Sequence, residues 1–291
     1  MKRIPAVPVL LAAALSACAA ATPGAPARSA ASLAPARQLA TDAELDAAAD
    51  LLMMEDRRQL DLATLEAAAA SPNPELRRRA ALAAGRIRDP RGLPTLVRLL
   101  ADPDTAVAAT GAFALGILGD TAAVPALVPV VTPERASVAP TVAGEAATAL
   151  GKLATARGRA AVEGFLGSAP AGDSVAAPAV RHALLAAWKF PRPADSAPVS
   201  RWIESPDPEL RWRAAFALTR RPDPAAAPAL ARLAADPDWR VRSFALRGLA
   251  APLADSSSLG AAEARRVLLA ALADTSAAVR INAARALGTH P

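Results

Sequence analysis

The chain repeats itself, and that limits what it can fold into more than any other feature. Ser71-Pro72-Asn73-Pro74-Glu75-Leu76-Arg77 returns almost unchanged as Ser205-Pro206-Asp207-Pro208-Glu209-Leu210-Arg211. Related turns occur at Asp102-Pro103-Asp104, at Asp236-Pro237-Asp238 before Val241-Arg242, and at Asp274-Thr275-Ser276 before Val279-Arg280. Pro72 and Pro103 are 31 residues apart, as are Pro206 and Pro237. A unit of that length is one supersecondary motif that cannot bury its apolar face alone, so units must stack and each contacts only its neighbours. Longer spacings elsewhere predict loop insertions near residues 155–175 and 251–260.

Every unit follows one plan. A short helix A, such as Leu93 to Leu100, ends at an Asp-Pro or Ser-Pro turn. Asn73, Asp104, Asp207, Asp238 and Ser276 then stand where an N-cap would satisfy the free amides of a second helix, B. Pro74, Pro140, Pro178 and Pro208 follow at the predicted first helical position, where a missing N–H costs nothing. Helix B places small or apolar residues at i, i+4, i+7 and i+8, as in Leu210, Ala214, Ala217 and Leu218 or Val107, Gly111, Ala114 and Leu115. That spacing is one helical stripe. Gly116, Gly151 and Gly288 are predicted to end their helices.

The pattern Asp-Pro-x-x-x-Val-Arg-x-x-Ala-x-x-Ala-Leu-Gly, which the sequence carries in pieces, resembles the bacterial HEAT-repeat family, including its subgroup related to phycobilin lyases. The resemblance covers about residues 61–291 in seven units. It implies an all-α solenoid, a right-handed superhelix of helical hairpins with helix B on the concave side. It also implies that the repeated arginine, here Arg77, Arg211, Arg242 and Arg280, bonds the aspartate of a neighbouring turn. Units two to four depart from the pattern. Ala108 and Ala143 replace the arginine in two of them, and Ala139 and Ala177 stand where caps belong in units three and four.

Composition agrees with a stack of small cores. Of 291 residues 53% are hydrophobic, yet only 3% are aromatic and none is tyrosine; much of the apolar content is alanine, which favours thin, closely packed helices. Net charge is +6, carried mainly by arginine, with Lys2, Lys152 and Lys189 the only lysines. The arginines are spread through every unit among Asp and Glu, without the dense basic run that nucleic acid requires, so no nucleic-acid partner is expected.

Residues 1–17 have the features of a signal peptide: Lys2 and Arg3, then an apolar stretch from Ile4 to Ala17 interrupted by Pro5 and Pro8 and too short to span a bilayer. It runs into Leu15-Ser16-Ala17-Cys18, which resembles the lipobox of bacterial lipoproteins. That resemblance implies cleavage before Cys18, lipidation of its thiol and, because Ala19 follows, sorting to an outer membrane facing the periplasm. Two or more acyl chains anchor a protein stably. Cys18 is the only cysteine, so no intramolecular disulfide can form. Residues 18–40, rich in Ala and Pro, are expected to be a disordered tether. Residues 41–60 are expected to hold a capping helix, Asp42 to Glu55, apolar on one side and acidic on the other. The sequence stops at Pro291 directly after the last helix B, without a polar cap. This suggests an array that continues in a longer parent, such as an envelope prolyl isomerase of cyclophilin type, or an end that docks onto something.

No catalytic residues, cofactor site or metal site are predicted. His182 and His290 lie far apart, and no phosphate loop, nucleophile elbow or Cys-His pair occurs. The paired His-Glu motifs of iron-binding HEAT hydroxylases are likewise missing. The expected function is a membrane-anchored scaffold binding a protein or peptide along helix B. Positions two, three and six after the conserved Val or Leu should form outward columns holding Phe113, His182, Trp212, Arg213 and Phe216, with Trp239 nearby. Aromatic rings beside arginine suit a binding hot spot; the competing reading is that these rings wedge adjacent repeats apart. Trp188 aligns with Leu218 and is expected in the core.

Overall fold

The computed structural model describes residue 39 and residues 41–191, 196–220 and 223–290. The expected signal peptide (1–17), Cys18 and all but residue 39 of the expected tether (18–40) lie outside the described residues.

The described chain is helical, with no strand among the described residues. Helix α1 (Asp42–Arg57) precedes seven units. The first four are α2 (Leu62–Ala69) with α3 (Pro74–Ile87); α4 (Leu93–Leu100) with α5 (Thr105–Leu118); α6 (Val124–Leu127) and α7 (Pro133–Val138) with α8 (Pro140–Leu153); and α9 (Ala156–Ser168) with α10 (Ala177–Ala187). The last three are α11 (Ala197–Ser200) with α12 (Pro208–Arg220); α13 (Ala227–Leu233) with α14 (Trp239–Arg247); and α15 (Ala251–Asp255) and α16 (Ala261–Ala271) with α17 (Ala277–Leu287). The segment expected as a loop near 155–175 is therefore mostly helix: α9 is an A helix of 13 residues, and only 169–176 is irregular.

Helices α1, α3, α5, α8, α10, α12, α14 and α17 pack on one another in series, forming a continuous B row. The predicted stripes are its core. Leu210, Ala214, Ala217 and Leu218 are buried, as are Val107, Gly111, Ala114 and Leu115. Small residues let the row close up. A Cβ on Gly116 would stand 2.8 Å from Ala149 Cα, and one on Gly151 2.8 Å from Ala186 Cβ. Both glycines thus lie inside α5 and α8, where backbones approach closely, and not at helix ends. The left-handed caps fall three residues later, at Gly119 (φ 79°) and Ala154 (φ 53°). Gly288 does follow the last helix, but with φ −63°.

Caps follow the prediction in four of five cases. Asn73, Asp104, Asp207 and Asp238 each accept an amide hydrogen bond at 2.8–3.1 Å from the first turn of their helix. Ser276 occupies the N-cap position, but its side chain makes no capping bond; Asp274 instead accepts from the Ser276 amide at 2.7 Å. Pro74, Pro140 and Pro208 open their helices, whereas Pro178 is second in α10, whose N-cap is Ala176 rather than Ala177. Neither Ala139 nor Ala176 provides a side-chain cap.

The arginine ladder is present and has a strict internal logic. Arg77 grips Asp102 (2.7 and 2.9 Å), Arg211 grips Asp236 (2.7 and 3.0 Å) and Arg242 grips Asp274 (2.7 and 2.8 Å). Each also donates to two carbonyls of its own turn, such as Ser205 and Pro206 for Arg211. Arg280 makes only the carbonyl contacts, to Asp274 and Thr275. Where the arginine is absent, at Ala108 and Ala143, the next turn carries Ser137 and Val175 in place of the aspartate. Arginine and aspartate disappear together because a buried carboxylate without its cation is costly. Unit four keeps Arg181 but faces Ser205, so it reaches the N-cap Asp207 instead, at 2.8 Å.

Helix α1 starts with a capping box between Thr41 and Glu44 and buries Ala48, Leu51 and Met54 against the array. Its solvent side is less polar than predicted, since Leu45, Leu52 and Met53 are about half exposed there.

Candidate interaction surface

The side of each B helix that faces away from its A helix carries the candidate residues. Glycine and alanine draw the B helices together, and their free sides adjoin as one continuous groove face.

Between units four and six that side is lined with rings. Phe244 of α14 stacks on Trp212 of α12, with centroids 5.6 Å apart at 23°, and meets Phe216 edge-on at 5.4 Å. Phe216 in turn meets Trp188 edge-on at 6.2 Å. Trp188 is half-buried and belongs to this array, not to the core as its alignment with Leu218 suggested. The reason is that α10 ends at Ala187, one turn earlier than α12, so the register shifts the ring to the surface. Guanidinium groups cover the outer faces, Arg213 at 4.2 Å from the Trp212 centroid and Arg220 at 4.6 Å from Trp188. The rings wedge neighbouring units and remain partly accessible, since Trp212, Phe216 and Phe244 are all only partly buried. Phe244 was not singled out from the sequence, although its place three residues after Val241 falls in the middle outward column.

Glu209 holds this cluster together. Its carboxylate accepts from Arg213, from Trp212 Nε1 (3.1 Å) and from Arg240 of the next unit. Those bonds, that of Arg213 foremost, lower its pKa to about 2 against the opposing effect of burial.

The other predicted residues are spread along the groove. His182 Nδ1 lies 3.0 Å from Thr148 Oγ1 and 3.9 Å from Glu145, and its ring rests over Gly144, where a Cβ would come within 3.1 Å. Phe113 lies two units away from the ring array, with the Lys152 ammonium 4.5 Å above it. Trp239, half exposed at the start of α14, makes no ring contact among the described residues. Lys189, Arg220, Arg247 and Arg285 form no ion pair with a carboxylate among the described residues, and Lys152 has only the longer-range attraction of Glu145, leaving the groove with surplus positive charge. No cluster of three or more His, Cys, Asp or Glu suited to a metal occurs among the described residues, and no described helix is long and apolar enough to cross a membrane.

Known structures with similar folds include the complex of CpcE and CpcF of phycocyanin lyase from Nostoc sp. PCC7120 (20% identity, 80% of this chain and 96% of that one, TM-score 0.49). An archaeal HEAT-like repeats protein from Thermococcus onnurineus NA1 is 15% identical over 79% of this chain and 97% of its own, with a TM-score of 0.47. Human deoxyhypusine hydroxylase is 22% identical over 85% and 87%, with a TM-score of 0.35. No curated protein matches the sequence. The HEAT-repeat family itself matches over residues 62–146 and 196–288. The ladder, the paired helices and this match together establish that the chain belongs to the HEAT-repeat family.

Proposed function

We propose that the protein is a non-catalytic scaffold, held at the cell envelope by a lipid on Cys18 in the outer membrane, which binds an acidic polypeptide along its B row. The HEAT architecture supplies an extended surface made for protein contacts. The observation that carries the polarity of the partner is the groove of units four to six, where partly exposed rings stand beside cations lacking carboxylates. Rings give contact area at low entropic cost, and surplus positive charge selects and steers an acidic segment.

A labelled peptide of alternating Glu and Leu should bind the full chain with an affinity that falls as salt rises, and its Lys-Leu counterpart should not bind. The double reversal Arg220→Glu with Arg247→Glu should weaken that binding at least tenfold at an unchanged melting temperature. Equal binding of both peptides, or of neither, refutes the groove. For the anchor, Cys18→Ser should move the protein from the membrane fraction to the soluble one and abolish acyl labelling. A variant that still fractionates with membranes, beside a wild type that takes up no label, refutes the anchor.

A further inference from the structure

One cleft on the B row differs from the rest of the groove in its chemistry. It has a volume of about 500 Å³ and is lined by Thr148 of α8, by Arg181, His182 and Leu185 of α10, by Lys189 just after it and by Arg213 of α12. We propose that this cleft is the seat for a single carboxylate of the bound polypeptide, an Asp or Glu side chain or a chain end, and so fixes the register in which the scaffold of the preceding section holds its partner.

With Pro178 and Ala186 the lining has eight residues, of which four bring N–H donors or positive charge and none is acidic. Arg181 and Arg213 each spend part of the guanidinium on a carboxylate, Asp207 for the first and Glu209 for the second. In each the Nε–H is buried without an acceptor, and among the described residues the only other buried side-chain nitrogen or oxygen in that condition is His290 Nδ1. Two such orphan donors at one cleft are unexpected in a settled structure, because a buried donor normally has a partner. Both arginines also line the cleft, so an anion entering it would meet their positive charge. Lys189 has no carboxylate partner, and the nearby Lys152 has its pKa lowered by burial and then by repulsion from Lys189. Two ammonium groups close enough to repel leave a local excess of positive charge, which a carboxylate relieves. Besides Asp207 and Glu209, which the two arginines hold, Glu145 stands 3.9 Å from His182 and partly offsets the charge of Lys152. The volume falls in the range of sites for small groups and suits an acidic side chain with its flanking backbone. The ring array begins at Trp188, at the end of the same helix α10, so a residue seated here would lead its neighbours onto Trp188 and Phe216.

The test follows side-chain Nε–H and backbone amide resonances of the full chain by NMR during titration with sodium succinate, sodium phosphate and sodium chloride at constant ionic strength. Succinate is expected to shift Arg181, Arg213 and the end of α10 saturably, leaving Arg77, Arg211 and Arg242 unmoved on their aspartates. Lys152→Gln with Lys189→Gln should weaken succinate at least tenfold and the Glu-Leu peptide at least fivefold, with melting unchanged. Identical, unsaturable shifts with all three salts overturn the proposal, since they report screening alone. Saturation by phosphate but not succinate also overturns it, assigning the cleft to a phosphorylated ligand. Peptide binding that the lysine variant leaves intact removes the carboxylate seat but keeps the groove. Succinate binding without peptide binding keeps the seat and removes the polypeptide as its source.

Discussion

Replacing Arg211 with Met removes the charge and the hydrogen bonds of one ladder rung while keeping most of the side chain's apolar stem. The side chains of Arg211 and Asp236 are only 14% and 5% exposed, so solvent cannot replace what is lost. Four bonds go: two to Asp236 at 2.7 and 3.0 Å, and those to the Ser205 and Pro206 carbonyls at 2.9 and 3.1 Å. Asp236 is left with the Asp238 amide at 2.8 Å as its remaining recorded donor. Breaking a buried pair on one side costs about 3–5 kcal/mol, chiefly from the uncompensated charge. We expect about 3 kcal/mol, or a fall in melting temperature of about 6–12 °C for an array of this size. Adding Asp236→Asn should then restore part of the loss, because the stranded charge disappears. The chain already contains this solution in the Ala108 with Ser137 and Ala143 with Val175 combinations. Urea and thermal unfolding followed by circular dichroism, with hydrogen exchange in α12 and α14, would measure both steps. A single variant that loses less than about 1 kcal/mol, or a double variant at least as unstable as the sum of its parts, would refute this account of the ladder.

Acid should weaken the array partly through Glu209. Its folded pKa of about 2 lies below the ordinary glutamate value of 4.5, so its contribution is complete above pH 5 and is lost as pH falls toward 2. Allowing for its one-third exposure, that contribution is roughly 1–2 kcal/mol, and the stability gap between wild type and Glu209→Gln should close over that range; a gap independent of pH refutes the assignment. Gly116→Ala should cost about 1–3 kcal/mol, because the new methyl meets Ala149 Cα at 2.8 Å and backbone cannot step aside cheaply. Gly164→Ala, inside α9 with nothing within 4 Å, should instead gain about 0.5–1 kcal/mol. Thermal melts showing the same sign for both variants would contradict the close-approach explanation.

Local chemistry was legible in the sequence because it repeats. Asn73, Asp104, Asp207 and Asp238 announce their caps, the i, i+4, i+7, i+8 stripes announce the buried face, and the family resemblance announced that Arg77, Arg211 and Arg242 would be paired. The candidate rings were also visible as large residues at positions that other units fill differently. The roles of Gly116 and Gly151 were not legible, since a glycine that ends a helix and one that admits a neighbouring helix look alike in sequence. Nor was the placing of Trp188 and Phe244, because it depends on where α10 stops and on how α14 is turned against α12. Capping and amphipathic periodicity act within one turn or one helix, so the order of residues alone determined the repeating unit and most of its helix starts, while helix ends and the helix α9 came only from the structure. Which rings touch, and which cations are left without a partner, depends on distances between residues about 30 positions apart; only the stacking of one unit on the next decides those.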